Sequence, residues 1–481
     1  MSRTPDDDLR VLERALAHAK AYLTALPRQP AGVAPDPARL RRRLHRPLAE
    51  HGVAAETVLD DLVADTADGL MGSAGGRFFG WVIGGALPAA LAADWLTAVW
   101  DQNAALHACG PAAAASEEVA GAWLKELLGL PAASSFAFVT GCQMAHVTCL
   151  AAARHALLAA RGWDVQADGL AGAPQVRILA NQDHHGSIER AVGLLGLGRS
   201  HVRPLATDDA GRVQAVSLER ALAADPAAPA IVVLQAGDIA TGAFDDFERL
   251  IPIARRYGAW VHVDGAFGLW ARTSPRFRSL TLGVEAAQSW ATDGHKWLNV
   301  PFDSGYAFVA DPEAHRAAVS HRAAYLTHAE DARDQIDWNP DWSRRARGFS
   351  TYAALRQLGR RGVADLVDRC CAHAQALAHG LAALPGAELV SAPIINQALV
   401  AFHDPRIGAA PANHDRMTDA VIAAINASGE AFFSGSTWRG RRVMRVSVCN
   451  WRTTAGDVDR AVAAAADAVA AISNSAGSVL A

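Results

Sequence analysis

The spacing of apolar positions changes character along the chain, and the changes divide it into stretches of different structure. Up to about residue 70 the apolar residues recur at helical intervals. Thr4-Pro5-Asp6-Asp7-Asp8 is followed by Leu9, Leu12, Leu16 and Leu23, the pattern of a capped amphipathic helix, and a proline-rich connection at 27–37 separates it from one or two more helices. From about Gly72 to Ala310 the pattern becomes short, continuously apolar runs alternating with helical stretches, at 136–139, 176–180, 230–234, 259–263, 289–291 and 306–309. Runs that are apolar throughout predict strands buried on both faces, hence a mostly parallel sheet covered by helices. In such a sheet ligands gather at the carboxyl ends of the strands.

The stretch 311–350 is polar, rich in His, Arg, Asp and Trp, and weakly periodic, which predicts a mobile loop over about 318–348. A long helix then precedes apolar strands at Gln397–Phe402 and 442–448, and an alanine-rich helix begins at Ala455. The expected organisation is a helical segment over 1–70 with too little core to stand alone, a large α/β domain over 71–350 and a small α+β domain over 351–481.

Composition narrows the class without choosing a function. The 481 residues are 51% hydrophobic and 20% charged, as in a large globular protein. The net charge of −4 gives no general electrostatic reason to bind nucleic acid or anionic lipid. Arg41-Arg42-Arg43 and Arg344-Arg345 read as solvated faces. No run of about twenty apolar residues marks a membrane span. Six cysteines, at 109, 142, 149, 370, 371 and 449, form no CxxC pair, so neither a zinc site nor a disulfide framework is expected and a reducing, cytoplasmic setting fits.

The chemistry concentrates after the predicted strands. Thr292-Asp293-Gly294-His295-Lys296-Trp297 follows one strand, and His262-Val263-Asp264-Gly265-Ala266 ends an earlier one about thirty residues before. A His-Lys pair alone is usually surface, and a strand-terminal Asp is often a helix cap. In this order and context the two match what pyridoxal phosphate (PLP) requires: an amine for a Schiff base, and an acid that keeps the pyridine nitrogen protonated. Thr140-Gly141-Cys142-Gln143-Met144 opens a helix after another strand, and is either an anion site or a plain strand-to-helix turn. Asn181-Gln182-Asp183-His184-His185-Gly186-Ser187 places two histidines at a helix start, as caps or as a ring to stack on the cofactor. The loop 235–245, containing Asp238 and Thr241, is a cofactor-edge contact or a glycine-rich turn. Gly72-Ser73-Ala74-Gly75-Gly76-Arg77-Phe78-Phe79-Gly80-Trp81 lacks the Gly-Lys-Ser/Thr ending of a P-loop and reads as pocket wall.

With those residues in view the chain resembles the group II PLP-dependent amino-acid decarboxylases, the fold type I family of the aromatic-L-amino-acid, histidine and glutamate decarboxylases. The densest blocks of resemblance are Phe78-Phe79-Gly80, 181–190, His262-Val263-Asp264 and 293–301. The resemblance implies that Lys296 carries the cofactor, Asp264 meets the pyridine nitrogen, Ala266 lies under the ring and His185 stacks on it. It further implies that Gly141, Cys142 and Gln143 contact the phosphate, with Thr292, Asp293 and His295 nearby. Gln143 stands where the family usually has Ser or Thr. An obligate homodimer is implied, with the active site at the interface, the 1–70 segment packed on the partner subunit, and Trp81, Val82, Gly84 and His107 lining the substrate pocket. The implied activity is decarboxylation of an L-amino acid; the alternatives are an aldehyde-forming oxidative decarboxylation-deamination or another PLP lyase or transferase. Many relatives reprotonate the substrate from a loop tyrosine. Here Gln335 is expected at that position, and Tyr325, His321 and His328 are the other candidates for the proton. Arg77 and Arg445 are candidates for a side-chain carboxylate on the substrate, or are structural.

Overall fold

The computed structural model describes residues 5–321, 332–404 and 411–479. All six apolar runs of the large domain are strands: β1 (Ser135–Val139), β2 (Arg177–Asn181), β4 (Ala230–Gln235), β5 (Trp260–Asp264), β6 (Ser289–Asp293) and β7 (Gly305–Val309). One strand escaped the pattern. It is β3 (Val202–Leu205), whose middle residues are exposed because it lies at the sheet edge and pairs only with β2. The order is β1-β7-β6-β5-β4-β2-β3; β7 runs antiparallel to both neighbours and every other pairing is parallel.

Alternation along the buried strands separates two cores. Phe138, Val232, Leu234, Val261, Val263 and Trp290 face one way, whereas Val139, Ile231, Val233, Trp260 and Ala291 face the other. The second face is closed by the helix Cys142–Ala159, itself almost wholly buried along its inner side. Because β1, β2, β4, β5 and β6 all point the same way, the turns after them converge at one edge. Gly141, His185, Asp238, Asp264 and Asp293 all lie at or just beyond strand carboxyl ends there.

The C-terminal sheet is antiparallel, in the order β10 (Ser434–Trp438), β11 (Arg441–Ser447), β9 (Gln397–Phe402) and β8 (Ala387–Ser391). β8 and β10 went unpredicted because neither carries a continuous apolar run; most of their residues are only half-buried. The long helix Gly348–Ala382 is interrupted at Gly359, where φ of 59° is left-handed and suits a residue without Cβ.

Of the polar stretch, residues 322–331, inside the expected loop of 318–348, lie outside the described residues. The helix Pro312–Val319 occupies its start and a short turn, Gln335–Asp337, its middle. Asp334, Gln335, Ile336, Asp337, Asn339 and Arg344 are buried. The polarity reflects buried pairing: Arg344 donates to both carboxylate oxygens of Glu117, at 2.7 and 2.6 Å. Such a fork matches guanidinium to carboxylate at both ends.

Three helices form the N-terminal region, Pro5–Ala25, Pro37–Leu44 and Ala55–Thr66, and the last two bury no residue. Leu9, Leu12, Leu16 and Leu23 of the first are exposed, as are Val58, Leu62 and Val63 of the third. The basic run at Arg41 is not simply solvated, since Arg43 pairs with Asp68 at 2.6 Å. No described helix is long and apolar enough to cross a membrane.

Candidate active site

Lys296 lies in the turn after β6, its Nζ 3.0 Å from Asp293 Oδ2. Burial disfavours the ammonium, but Asp293, Cys142 and Asp264 outweigh it and hold the Lys296 pKa above its ordinary value. The other Asp293 oxygen accepts the Cys142 backbone N–H at 2.6 Å, so one carboxylate ties the lysine turn to the first turn of the helix Cys142–Ala159. That turn is tightly built. A Cβ on Gly84 would fall 1.9 Å from the Lys296 carbonyl oxygen, so only glycine permits this approach. Gly84, expected to line the substrate pocket, is therefore first a packing residue behind the lysine.

Asp264 ends β5 with its carboxylate buried. Burial pushes its pKa up, yet His146, His185, Lys296 and the Ala266 N–H at 3.2 Å prevail, and the net shift is downward. The carboxylate is ionised. Ala266 is half-buried beside it, and its carbonyl accepts from the Asp293 N–H at 3.0 Å, joining the two acidic turns.

The two histidines after β2 part company. His184 is turned back onto the Asn181 carbonyl at 2.6 Å and faces Glu189 at 3.4 Å. His185 caps the helix Gly186–Leu194 through Ser187, and its ring feels Asp264, Lys296 and Arg445. Although exposed in the single chain, it has enough protein around it to lower its pKa; burial is the main cause. Gln143 reaches across to the Ser187 carbonyl at 3.3 Å and so bridges the turns after β1 and β2. Thr292 is fully buried with no partner for its hydroxyl. His295 stacks on Phe302 with ring centroids 4.3 Å apart and accepts from the Ser304 N–H at 3.2 Å.

Thr241 Oγ1 is held by the Ala210 carbonyl at 2.9 Å and by Asp238 at 3.1 Å, and nothing connects it to Lys296 or Asp264 among the described residues. Asp238 Oδ1 closes its own turn on Ala240 and Thr241, leaving Oδ2 buried and unpartnered. Arg77 is structural: it donates to the carbonyls of Pro27, Gln29, Gly429 and Glu430, pinning the proline-rich connection to the C-terminal region. Arg445 differs. It is buried near His185 and Asp238, and its Nε and Nη2 have no partner.

Val82 is buried and Trp81 is half exposed, packed against Phe78 and Phe432. His107 is half-buried, its backbone N–H on Asp334 at 2.9 Å. Gln335 is fully buried, accepts from Arg333 and supports Asn339. In the single chain it packs beside Arg333, which itself donates to the Phe136 carbonyl of β1. Tyr325 and His328 lie outside the described residues, and His321 is exposed.

Sequence reasoning missed two groups. Asn299, at φ of 56°, accepts from the N–H groups of Gly85 and Trp451 at 2.7 and 3.0 Å and donates to the carbonyls of Trp297 and Cys449. It therefore locks the lysine turn between the glycine segment and the C-terminal region. The second is His146 with His262, both fully buried behind Asp264. Their signal was present: His262 lies two residues before Asp264 on one strand face, and His146 is one helical turn after Cys142.

A profile of the pyridoxal-dependent decarboxylase conserved domain matches residues 37–404. The chain belongs to this family. Among its relatives, the L-tyrosine/L-DOPA decarboxylase 2 of Lophophora williamsii is 28% identical over 67% of this chain and 64% of its own length. The phenylacetaldehyde synthase of Petunia hybrida is 28% identical over 67% of this chain and 65% of its own. The chain thus matches just under two thirds of each. In three dimensions it is similar to Oryza sativa TDC solved with PLP and tryptamine, with a TM-score of 0.91, 21% identity and coverage of 98% and 99%. That likeness shows the fold type I architecture.

In this member of the pyridoxal-dependent decarboxylase family the residues fit the cofactor. An amine and a buried ionised acid meet at one sheet edge. A Cβ on Gly141 would come within 3.0 Å of His295, so the space at the helix start is kept by glycine. The set suits a group with an aldehyde carbon, a basic ring nitrogen and an anionic tail.

Proposed function

We propose that the protein removes the α-carboxylate of an L-amino acid as carbon dioxide, using PLP held by Lys296. The observation that carries this reading is the convergence of Lys296, Asp293, Asp264 and His185 at the carboxyl ends of β2, β5 and β6. When bound, PLP supplies an electron sink for the bond that breaks at the α-carbon. The chain's residues do the rest. Lys296 provides the amine, and Asp293 takes up its charge at 3.0 Å and aims it. Asp264, kept ionised, would hold a proton on the ring nitrogen. His185, whose lowered pKa leaves it neutral, would lie against the ring and could accept or return a proton near the substrate. Arg445, with N–H groups free beside His185, is the cation a substrate carboxylate would meet.

A homodimer completes the reading. The bare leucine face of the first helix is suited to a second copy, which would cover it and close the open side where His185, Trp81 and His107 stand. The six free cysteines suit a reducing, cytoplasmic location.

A second outcome, oxidative decarboxylation-deamination to an aldehyde, is favoured by the Petunia hybrida synthase matching at the same 28% identity as the Lophophora williamsii decarboxylase. An L-amino-acid panel assayed for carbon dioxide, oxygen consumption and ammonia decides. Carbon dioxide without oxygen uptake is expected. Carbon dioxide with stoichiometric oxygen uptake, ammonia and peroxide would replace it with the aldehyde-forming reaction, and no carbon dioxide from any amino acid would end both.

A further inference from the structure

Behind Asp264 a line of side chains runs into the sheet, and the established family chemistry does not use it. His146 Nε2 faces Asp264 Oδ2 at 3.6 Å and has no hydrogen-bond partner. His146 Nδ1 lies 2.9 Å from His262 Nε2, the two rings edge to face. His262 Nδ1 lies 2.9 Å from Ser289 Oγ, which also takes the Trp260 Nε1–H at 2.9 Å. The groups come from the helix Cys142–Ala159, β5 and β6, so three elements are joined across one face of the sheet.

The carboxylate end favours one direction along this line. An indole N–H can only donate and a carboxylate can only accept. Burial lowers the pKa of both histidines, His262 to about 3, so each ring is neutral with one N–H. If His146 points its proton at the carboxylate, its Nδ1 must accept from His262 Nε2–H. His262 Nδ1 must then accept the Ser289 hydroxyl, whose oxygen receives the Trp260 N–H. In that orientation the ring contacts pair a donor with an acceptor, and the His146 Nε2–H is aimed at the Asp264 carboxylate across 3.6 Å. The far end is an indole that does not ionise, so the line is a fixed chain of dipoles and not a route for protons to solvent.

We propose that His146 is a positioning residue for Asp264: facing the carboxylate at 3.6 Å and held from behind through His262, Ser289 and Trp260, it orients the carboxylate and keeps it an acceptor for the cofactor's ring nitrogen. The inference deepens the proposed function and rests on Asp264 meeting that nitrogen. Asp264 is also faced by His185, Lys296 and the Ala266 N–H, and His146 by Asp293, His185 and Lys296. Of these His146 is fully buried, on the helix Cys142–Ala159 and against His262 of β5, with Cys142 also close by.

The test compares the wild-type protein with His146→Leu and His146→Gln, all incubated with PLP. Glutamine can donate to Asp264 and accept from His262, and leucine can do neither. The leucine variant is expected to bind PLP on the order of tenfold more weakly, to shift the pH titration of the bound cofactor's absorbance, and to lower kcat with little change in KM. Glutamine should recover most of each. An unchanged titration and PLP affinity in the leucine variant, or equal damage in both, would overturn the proposal. Low-field proton NMR of the wild type needs no variant: neutral rings give N–H resonances that stay put from about pH 6 to 8, and a ring titrating in that window also overturns it. A wild-type protein without a borohydride-sensitive absorbance band would sink the cofactor reading itself, a different failure from that of the chain behind Asp264.

Discussion

The helices Pro5–Ala25 and Ala55–Thr66 and the turns after β5 and β6 both place acids beside cations, with opposite physical meaning. In the N-terminal pair, Arg14 forks onto Asp60 at 2.7 and 2.8 Å with water all around, while the leucines between them stay bare. At the strand ends, Asp293 and Asp264 are buried, and each oxygen of Asp293 has a separate task. Solvent screens the first pair and leaves it weak. Burial makes the second set expensive to break and precise in geometry. One region is held by charge and leaves its apolar face bare; the other buries its acids and fixes each of them by separate contacts.

The sharpest way to break this contrast is at the lysine. Lys296→Ala should lower activity on the order of a thousandfold or more and remove the borohydride-sensitive band, while thermal unfolding changes little. Asp264→Asn, nearly the same shape, should keep the fold and bind PLP, yet lose a comparable share of kcat. If either variant keeps near wild-type turnover, the strand-end cluster is structural.

Next in size is the apolar helix. Leu12→Asp with Leu16→Asp adds charge to an exposed face, so a lone chain would tolerate it. A chain that buries this face against a second copy would fall apart. The variant is expected to elute as a monomer by light scattering and to lose most of its activity. A wild-type protein already monomeric and active at assay concentration would remove the need for a partner.

How far the sequence foretold this differs by region for the same reason. The buried strands were legible because continuous apolar runs have one explanation in an α/β chain, and they carried Lys296, Asp264 and His185 with them. β3, β8 and β10 were hidden because edge strands bury one face at most. Arg77 was left between a substrate contact and a structural role because sequence does not say whether a polar side chain meets a ligand or a backbone carbonyl. His146 was hidden because a helix pattern shows which face is inward but not what waits there.

A smaller effect comes from the buried histidines. His262 and His315 are neutral inside, each lowered to about 3, with burial the main cause. Unfolded, they titrate near the ordinary histidine value, so below it the unfolded chain binds protons that the folded chain refuses. Stability should therefore fall as pH drops through the ordinary value and keep falling toward about pH 3. The loss is about 1.4 kcal/mol per histidine by about pH 5.5. The slope of Tm against pH should be shallower in His315→Gln than in the wild type. An identical slope would mean that this ring is charged or exposed in the folded protein.

The smallest effect should come from the ion pair that looks strongest on the surface. Arg14→Ala removes two short hydrogen bonds to Asp60, but His18 still reaches that carboxylate at 2.7 Å and water replaces the guanidinium. Its Tm should stay close to that of the wild type, and the small difference should vanish as salt is raised. Because the pair stitches only the two helices, any effect it has must pass through how they present their leucines. A marked drop in Tm that persists in high salt would show that the N-terminal helices are held as firmly as the strand ends, and the contrast between the two regions would be lost.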